Sequence, residues 1–243
     1  MTSAPLLELS AVTKRFGGLT AVKDLSMSVQ RGEIVGLIGP NGAGKTTIFN
    51  VITGVCRPDA GQVTIAGERV DRLARYLIAR RGVRRTYQIV RPFADMSVLE
   101  NVMVGALFGR AGDLETAEDK AREVASFVGL SGREDEPAAT LNLGEKKRLE
   151  IARALAADPE LLLLDEALSG LTPREIDVAS EMIARIRTEL GKTIVVVEHV
   201  MRVIMAISDR IVVLHHGEKI ADGTPQEVRG DRRVIEAYLG ESA

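Results

Sequence analysis

The chain has 243 residues, of which 45% are hydrophobic, enough for one large α/β domain or for a core carrying a smaller subdomain. Lysine plus arginine (32) nearly balances aspartate plus glutamate (34), and a net charge of −2 leaves no overall electrostatic footprint for nucleic acid. Aromatic residues are scarce, and Cys56 as the sole cysteine excludes a disulfide framework and a cysteine-built zinc site, which suits a reducing compartment.

The opening MTSAPLLELSAV lacks the charged and long apolar stretches of a signal peptide. No apolar run reaches the ~18 residues that a membrane span needs. The expectation is a soluble chain that would meet a membrane only through a partner. LLELSAV and DLSMSVQ read as strands with a turn at GGLTAV between them. EIVGLIG is an apolar strand running into a glycine-rich loop, and KTTIFNVITG is a helix ending at Gly54. GQVTIAG is a strand, RLARYLIAR a helix, and VRRTYQIV a strand that leaves the core.

Residues from about 92 to 157 then read as helix after helix, an inserted helical subdomain between core segments of about 5–91 and 158–240. SVLE, Ser97 to Glu100, is a capping box that opens the first of these helices. LLLLDE returns to a buried strand, and TPRE starts a long helix with Thr172 as cap and Pro173 at its first position. KTIVVVEH is another buried strand. DRIVVLHHGEKIADG is strand–turn–strand, with His215 and His216 expected to be exposed and not to bind metal. Two helical stretches, QEVRG and RRVIEAYLG, complete the pass. Buried strands alternating with helices imply an α/β fold with a mostly parallel sheet covered on both faces.

Three stretches carry chemistry. Gly39-Pro40-Asn41-Gly42-Ala43-Gly44-Lys45-Thr46, followed by Thr47, fits G-x-x-x-x-G-K-[ST] between a strand and a helix. Its glycines let backbone N–H groups wrap a phosphate, Lys45 reaches the outer phosphates, and the Thr46 hydroxyl suits Mg²⁺. Asp165 and Glu166 follow four leucines at a strand's C-terminal edge, where ligands sit in such sheets. Asp165 is suited to hold Mg²⁺ through water, and Glu166 to deprotonate an attacking water. The third stretch is LNLGEKKRLE at 141–150, where Asn142 and Gly144 make a second helix entrance that welcomes an anion.

The order of Phe16, the phosphate loop, Gln88, LNLGE, LLLLDE and His199 resembles that of the ATP-binding cassette ATPases, over nearly the whole chain. The resemblance implies a P-loop NTPase (RecA-like) core with a mixed sheet, an antiparallel β subdomain and an inserted helical subdomain. It implies ATP and Mg²⁺ as ligands and a second cassette subunit, identical or not, as partner. In such dimers the helix entrance of one subunit points at the γ-phosphate held by the other, so Asn142, Gly144 and Glu145 would touch the partner's nucleotide. By the same resemblance Phe16 would stack on adenine, Gln88 would ligate Mg²⁺ and sense the γ-phosphate, and His199 would position Glu166 or the water. The chain departs from the family's LSGGQ pattern at Asn142, Leu143 and Glu145. Val200 stands where the family often has Asp, Ala167 where it has Pro, and Thr172 in place of an acidic residue of the dimer-contacting loop.

KRFGGLTAVKDLS, RPFADMSVLENVMVGAL, RLEIARALAADPELLLLDEALSGL and the tail from ISDRIVVLHHGEKIADGTP to VIEAYLGE look most like the ATPases of branched-chain amino-acid importers. That implies transmembrane permease subunits, a solute-binding protein, and a place on the cytoplasmic face of the plasma (inner) membrane. A regulatory domain of the kind some sugar importers carry is not expected. The alternatives are a urea or amide importer, a lipid or lipopolysaccharide exporter, and a cassette ATPase unconnected with transport.

Overall fold

Short apolar runs, each buried along its whole length, decide where the sheet lies. The computed structural model describes residues 4–109 and 113–239; Gly240 and Glu241 of the tail segment lie outside the described residues. Strands β1 (Leu7–Phe16) and β2 (Leu19–Val29) form an antiparallel hairpin. Its turn is only Gly17 and Gly18, so Leu19–Val22 belong to a strand and not to the expected turn. Next come β3 (Ile34–Ile38), α1 (Lys45–Ile52), β4 (Ala60–Ile65) and β5 (Glu68–Arg69), then α2 (Arg75–Arg80) and β6 (Val83–Arg85). The strand expected to run on to Val90 stops at Arg85, because the Tyr87 N–H donates to the Glu150 carboxylate (2.6 Å) instead of to a neighbouring strand.

Helices α3 (Val98–Leu107), α4 (Leu114–Phe127) and α5 (Leu143–Ala156) pack on one another. The chain between α4 and α5 is mostly turns and extended segments with one 3-10 turn at Ala138–Thr140, so this stretch is less continuously helical than its sequence suggests. Then follow β7 (Leu161–Asp165), α6 (Pro173–Thr188), β8 (Thr193–Val197), α7 (Met201–Ile207), β9 (Arg210–His215), β10 (Glu218–Gly223), α8 (Pro225–Gly230) and α9 (Arg232–Leu239). The expected caps at Ser97 and Thr172 both form full capping boxes. Helix α7 was not foreseen, and nothing marks its start: Val200 offers it no side-chain cap.

Among the described residues β2-β1-β4-β5 make an antiparallel sheet, and β10-β9-β3-β8-β7-β6 make a sheet that is parallel except at β10. The period-2 geometry of strands splits the apolar runs between two cores. Leu162, Leu164, Ile194, Val196, Ile211 and Val213 face the core shared with α3–α7. Leu161, Leu163, Val195, Val197, Val212 and Leu214 face the core shared with α1 and the antiparallel sheet. Both faces of the parallel sheet are therefore dry. Its open edge is the one at the strands' C-terminal ends, which carries Gly39 after β3, Glu166 after β7, His199 after β8 and His216 after β9.

Candidate functional site

The phosphate loop joins β3 to α1 and can be built only from glycine at two points. A Cβ at Gly39 (φ 150) would lie 2.2 Å from the Leu214 carbonyl oxygen, and one at Gly44 (φ 105) 2.5 Å from that of Ala21. The turn after β9 braces the loop, with the Gly217 N–H donating to the Ala43 carbonyl at 3.1 Å. Lys45 is buried, and its Nζ donates to the carbonyls of Gly39 (2.5 Å) and Pro40 (2.9 Å). A cavity of about 410 Å³ opens over the loop. Phe16, Asn41, Gly42, Ala43, Gly44, Lys45, Thr46, Thr47 and Glu166 line it, together with Leu19, Thr20, Ala21 and His216. Phe16 is half exposed at its rim, and Pro40 joins the loop at Gly39.

Around Glu166 three sequence-predicted residues meet. Gln88 Nε2 donates to Glu166 Oε2 at 2.6 Å, and His199 Nε2 is 2.9 Å from Glu166 Oε1. Both carboxylate oxygens are thus held, one from the chain after β6 and one from the end of β8. Glu166 sits in left-handed backbone (φ 49), which costs a non-glycine residue roughly 1–2 kcal/mol and is a feature of functional sites. Its N–H donates to the Val197 carbonyl at 2.9 Å, fixing it to β8.

Asp165 ends β7 and is buried. Its Oδ2 accepts from Arg85 Nη2 at 2.6 Å, while Arg85 Nη1 donates to Asn50 Oδ1 at 2.7 Å. Both partners of this ion pair are almost fully buried, and Arg85 lies within 5.0 Å of the Tyr87 ring centre and 5.4 Å of that of Phe49. Asn50 is one helical turn beyond Thr46, so the guanidinium ties the acidic strand end to the helix that carries the phosphate loop. Thr46, Gln88 and Asp165 line one further cavity, of about 730 Å³. Hydroxyl, amide oxygen and carboxylate form a hard oxygen donor set that fits Mg²⁺, and a buried cation already sits on the carboxylate. The same cavity continues as a groove past Arg84, Tyr87, Ile89, Arg91, Phe108 and Arg153.

The LNLGE stretch lies elsewhere. Asn142 and Gly144 line a separate cavity of about 390 Å³ between α5 and the start of α6, and neither touches the cavity over this chain's own phosphate loop. Asn142 caps α5 in a full box: its Oδ1 accepts from the Glu145 N–H, and Glu145 Oε2 accepts from the Asn142 N–H, both at 2.9 Å. The other Glu145 oxygen takes Arg133 Nη1 at 2.7 Å, so this carboxylate is fully engaged within the chain.

His216 is exposed, as expected, but His215 is half-buried, with its ring 4.0 Å from that of His216. His215 ends β9, whose other residues pack into the sheet. His216 (φ 47) also borders the phosphate-loop cavity, a placement the linear sequence did not signal. Arg85 was equally missed, because its strand meets that of Asp165 across 80 positions of sequence. Lys147 and Glu198, both buried, had no such clue: each sits in a polar or apolar run that reads as surface or as strand. Burial pushes the Glu198 carboxyl up to about 7 and lowers the Lys147 amine.

Comparison with known proteins gives the family and the fold. Residues 22–169 match the family model described as ABC transporter, and residues 218–243 match that of the branched-chain amino acid ATP-binding cassette transporter. The chain is 42% identical to the Pseudomonas aeruginosa high-affinity branched-chain amino acid transport ATP-binding protein BraF, over 99% of this chain and 100% of that one. It is 36% identical to the Escherichia coli lipopolysaccharide export system ATP-binding protein LptB, over 95% of each. Among solved structures, the ADP conformation of the ABC transporter cassette MJ1267 superposes with a TM-score of 0.88 at 29% identity, covering 98% of this chain and 100% of that one. The dimeric post-hydrolysis state of the cassette MJ0796 with ADP and Pi gives a TM-score of 0.80 at 27% identity, covering 90% and 98%.

Proposed function

The chain belongs to the ATP-binding cassette ATPases of ABC transporters, and from that premise we propose that it energises the import of branched-chain amino acids. It is an ATP-binding and ATP-hydrolysing subunit, most like the branched-chain amino-acid members of the family. The observation that carries the catalytic part is the Gln88–Glu166–His199 cluster at the mouth of the phosphate-loop cavity.

Glu166 takes a proton from the water that attacks the γ-phosphorus as the bond to the β,γ-bridging oxygen breaks. His199 and Gln88 hold the two Glu166 oxygens and so fix where that proton is received. The loop's N–H groups and the start of α1 bind the phosphates, Lys45 exchanges its carbonyl partners for phosphate oxygens, and Phe16 stacks on the base. Thr46, Asp165 and Gln88 would hold Mg²⁺, which when bound would neutralise charge at the phosphates. Asn142 and Gly144, at the entrance of α5, complete the site of a second subunit, a reading supported by their lining a cavity separate from the one over this chain's own loop.

The working units are a core of about 5–91 and 158–240 and a helical unit of about 92–157; residue 240 lies outside the described residues. The groove past Tyr87, Ile89 and Phe108 takes a cytoplasmic segment of the permease, and its exposed apolar side chains support that use. No helix among the described residues is long and apolar enough to cross a membrane, so attachment to the inner face would come through those permease subunits. The test is uptake of labelled leucine, isoleucine and valine in a strain lacking this chain. The reading expects uptake to be lost and to return with the wild type but not with Glu166→Gln. Undiminished uptake in the deletion strain would overturn the substrate assignment.

A further inference from the structure

Beneath the hydrolytic cluster lies a second set of buried polar groups to which the mechanism gives no role. Lys147, at the start of the second turn of α5, is 5% exposed, and its Nζ donates to the backbone carbonyl of Glu166 at 2.9 Å. Glu198, the residue before His199, is 3% exposed, and its Oε1 accepts the Leu168 N–H at 2.6 Å. The Ser169 N–H is the other donor to the Glu166 carbonyl, at 3.2 Å. An ammonium buried this deeply needs acceptors, and the Glu166 carbonyl together with the nearby negative charge of Glu198, Glu150 and Glu166 supplies them.

This placement has a consequence for Glu166. A glutamate in left-handed backbone stays there only if its surroundings over-determine it. The Val197 carbonyl holds its N–H, and Lys147 holds its carbonyl, so the peptide units on both sides of the Glu166 Cα are pinned. One of those pins comes from outside the sheet, from α5. We propose that Lys147 is a positioning residue that holds the general base Glu166 of its own chain, so that the helix whose entrance serves the partner's nucleotide also sets the base of the site in cis. The second half of that statement rests on the sharing of sites proposed above; the first half does not. A small rotation of α5, of the kind that engaging the partner's phosphate would cause, is then carried by one buried hydrogen bond to the carbonyl of the base. The two sites of a dimer would be linked through it.

The experiment uses the full-length chain with Lys147→Met, Lys147→Arg and, to avoid a lone buried carboxylate, Lys147→Met combined with Glu198→Gln and compared with Glu198→Gln alone. ADP affinity reports the phosphate loop, and steady-state MgATP hydrolysis is split into kcat and KM. The expected result is a kcat lowered about tenfold or more by removing the ammonium, with KM and ADP affinity within about twofold, and most of kcat kept by Lys147→Arg. An unchanged kcat in the double variant relative to Glu198→Gln overturns the proposal, as does a loss that appears only in KM.

Mixed dimers separate action in cis from action through the helix entrance. Lys147→Met mixed with a Lys45→Ala subunit should gain nothing over Lys147→Met alone, because the one intact phosphate loop sits on the chain with the misplaced base. Recovery of activity in that mixture would place the defect at the shared entrance and overturn the cis role. A Gly144-substituted subunit mixed with Lys45→Ala is the control. Failure of that control to recover activity would strike the sharing of sites and leave the cis role to be judged by the kcat and KM of the unmixed variants.

Discussion

Helix α1 starts at Gly44 in left-handed backbone with no side-chain cap, whereas α5 starts at Asn142, whose carboxamide oxygen holds the Glu145 N–H in a full capping box. Both entrances suit an anion, but at the second the Glu145 N–H is already held by the helix's own cap. A capped start is worth about 1 kcal/mol to a helix, and α3, α6 and α8 all use one. Helix α1 forgoes it and relies on its packing, with Ile48, Phe49, Val51 and Ile52 buried, and its first residues Gly44, Lys45 and Thr46 line the phosphate-loop cavity. Helix α5 stands without a ligand and offers fewer donors. That suits a contact that forms and breaks between subunits, while the α1 entrance suits one that holds nucleotide throughout a cycle.

The largest effect expected on that comparison lies at the base beside the α1 entrance. Glu166→Gln should lower kcat by about 10²–10⁴ while ATP still binds, and ATP should then accumulate a dimer in sedimentation. Wild-type turnover in that variant would remove Glu166 from its assigned role. The next largest contrasts the two glycines. Gly44→Ala must push a Cβ against the Ala21 carbonyl (2.5 Å) at φ 105, so ADP affinity should fall about a hundredfold or the chain should misfold. Gly144→Ala meets side-chain atoms and no backbone, foremost the Glu175 carboxylate (2.7 Å), which its bonds to Thr172 hold at the cap of α6. It should leave ADP affinity intact and lower kcat about tenfold, through the partner's site. Equal loss of ADP affinity in the two variants would erase the distinction between the entrances.

A smaller effect tests the cap itself. Asn142→Ala should cost about 1 kcal/mol, or roughly 2–4 °C in Tm for a chain of this size, and Asn142→Asp should recover it. The smallest concerns pH. Burial raises the Glu198 carboxyl from the ordinary 4.5 to about 7, so the folded chain keeps that proton at a pH where the unfolded chain has lost it. The stability tied to this group is therefore complete below about 4.5 and lost as pH rises through about 7. Glu198→Gln should flatten the decline of Tm across that window; an unchanged slope would deny Glu198 its place in the titration.

Much of this was legible because the chemistry is local. The phosphate loop is a contiguous run of eight residues with fixed glycine positions, and four consecutive leucines running into a carboxylate pair read as a strand buried on both faces. Ser97, Asn142 and Thr172 announce their helices through the residue three places on. Long-range features were harder to read. Arg85 finds Asp165 across 80 positions and Lys147 finds the Glu166 carbonyl across 19, and neither spacing has a sequence signature. Helix α7 has no capping residue to declare it, and β6 stops early only because the Glu150 carboxylate captures the Tyr87 N–H. The family resemblance paired His199 with Glu166, but it gave Gln88 to the metal and the γ-phosphate; that Gln88 takes the other carboxylate oxygen is a property of the sheet edge.

The central claim, that the α5 entrance of one subunit completes the nucleotide site of another, can be measured with one cysteine pair. Cys56→Ser removes the only native thiol, Glu166→Gln slows hydrolysis, and Asn41→Cys and Asn142→Cys place thiols at two exposed positions, one on each entrance. With ATP and an oxidant, a disulfide should join two subunits, and the band should fade with ADP or without nucleotide. A chain that stays monomeric under trapped ATP, or that links its two thiols within one subunit, would contradict the account.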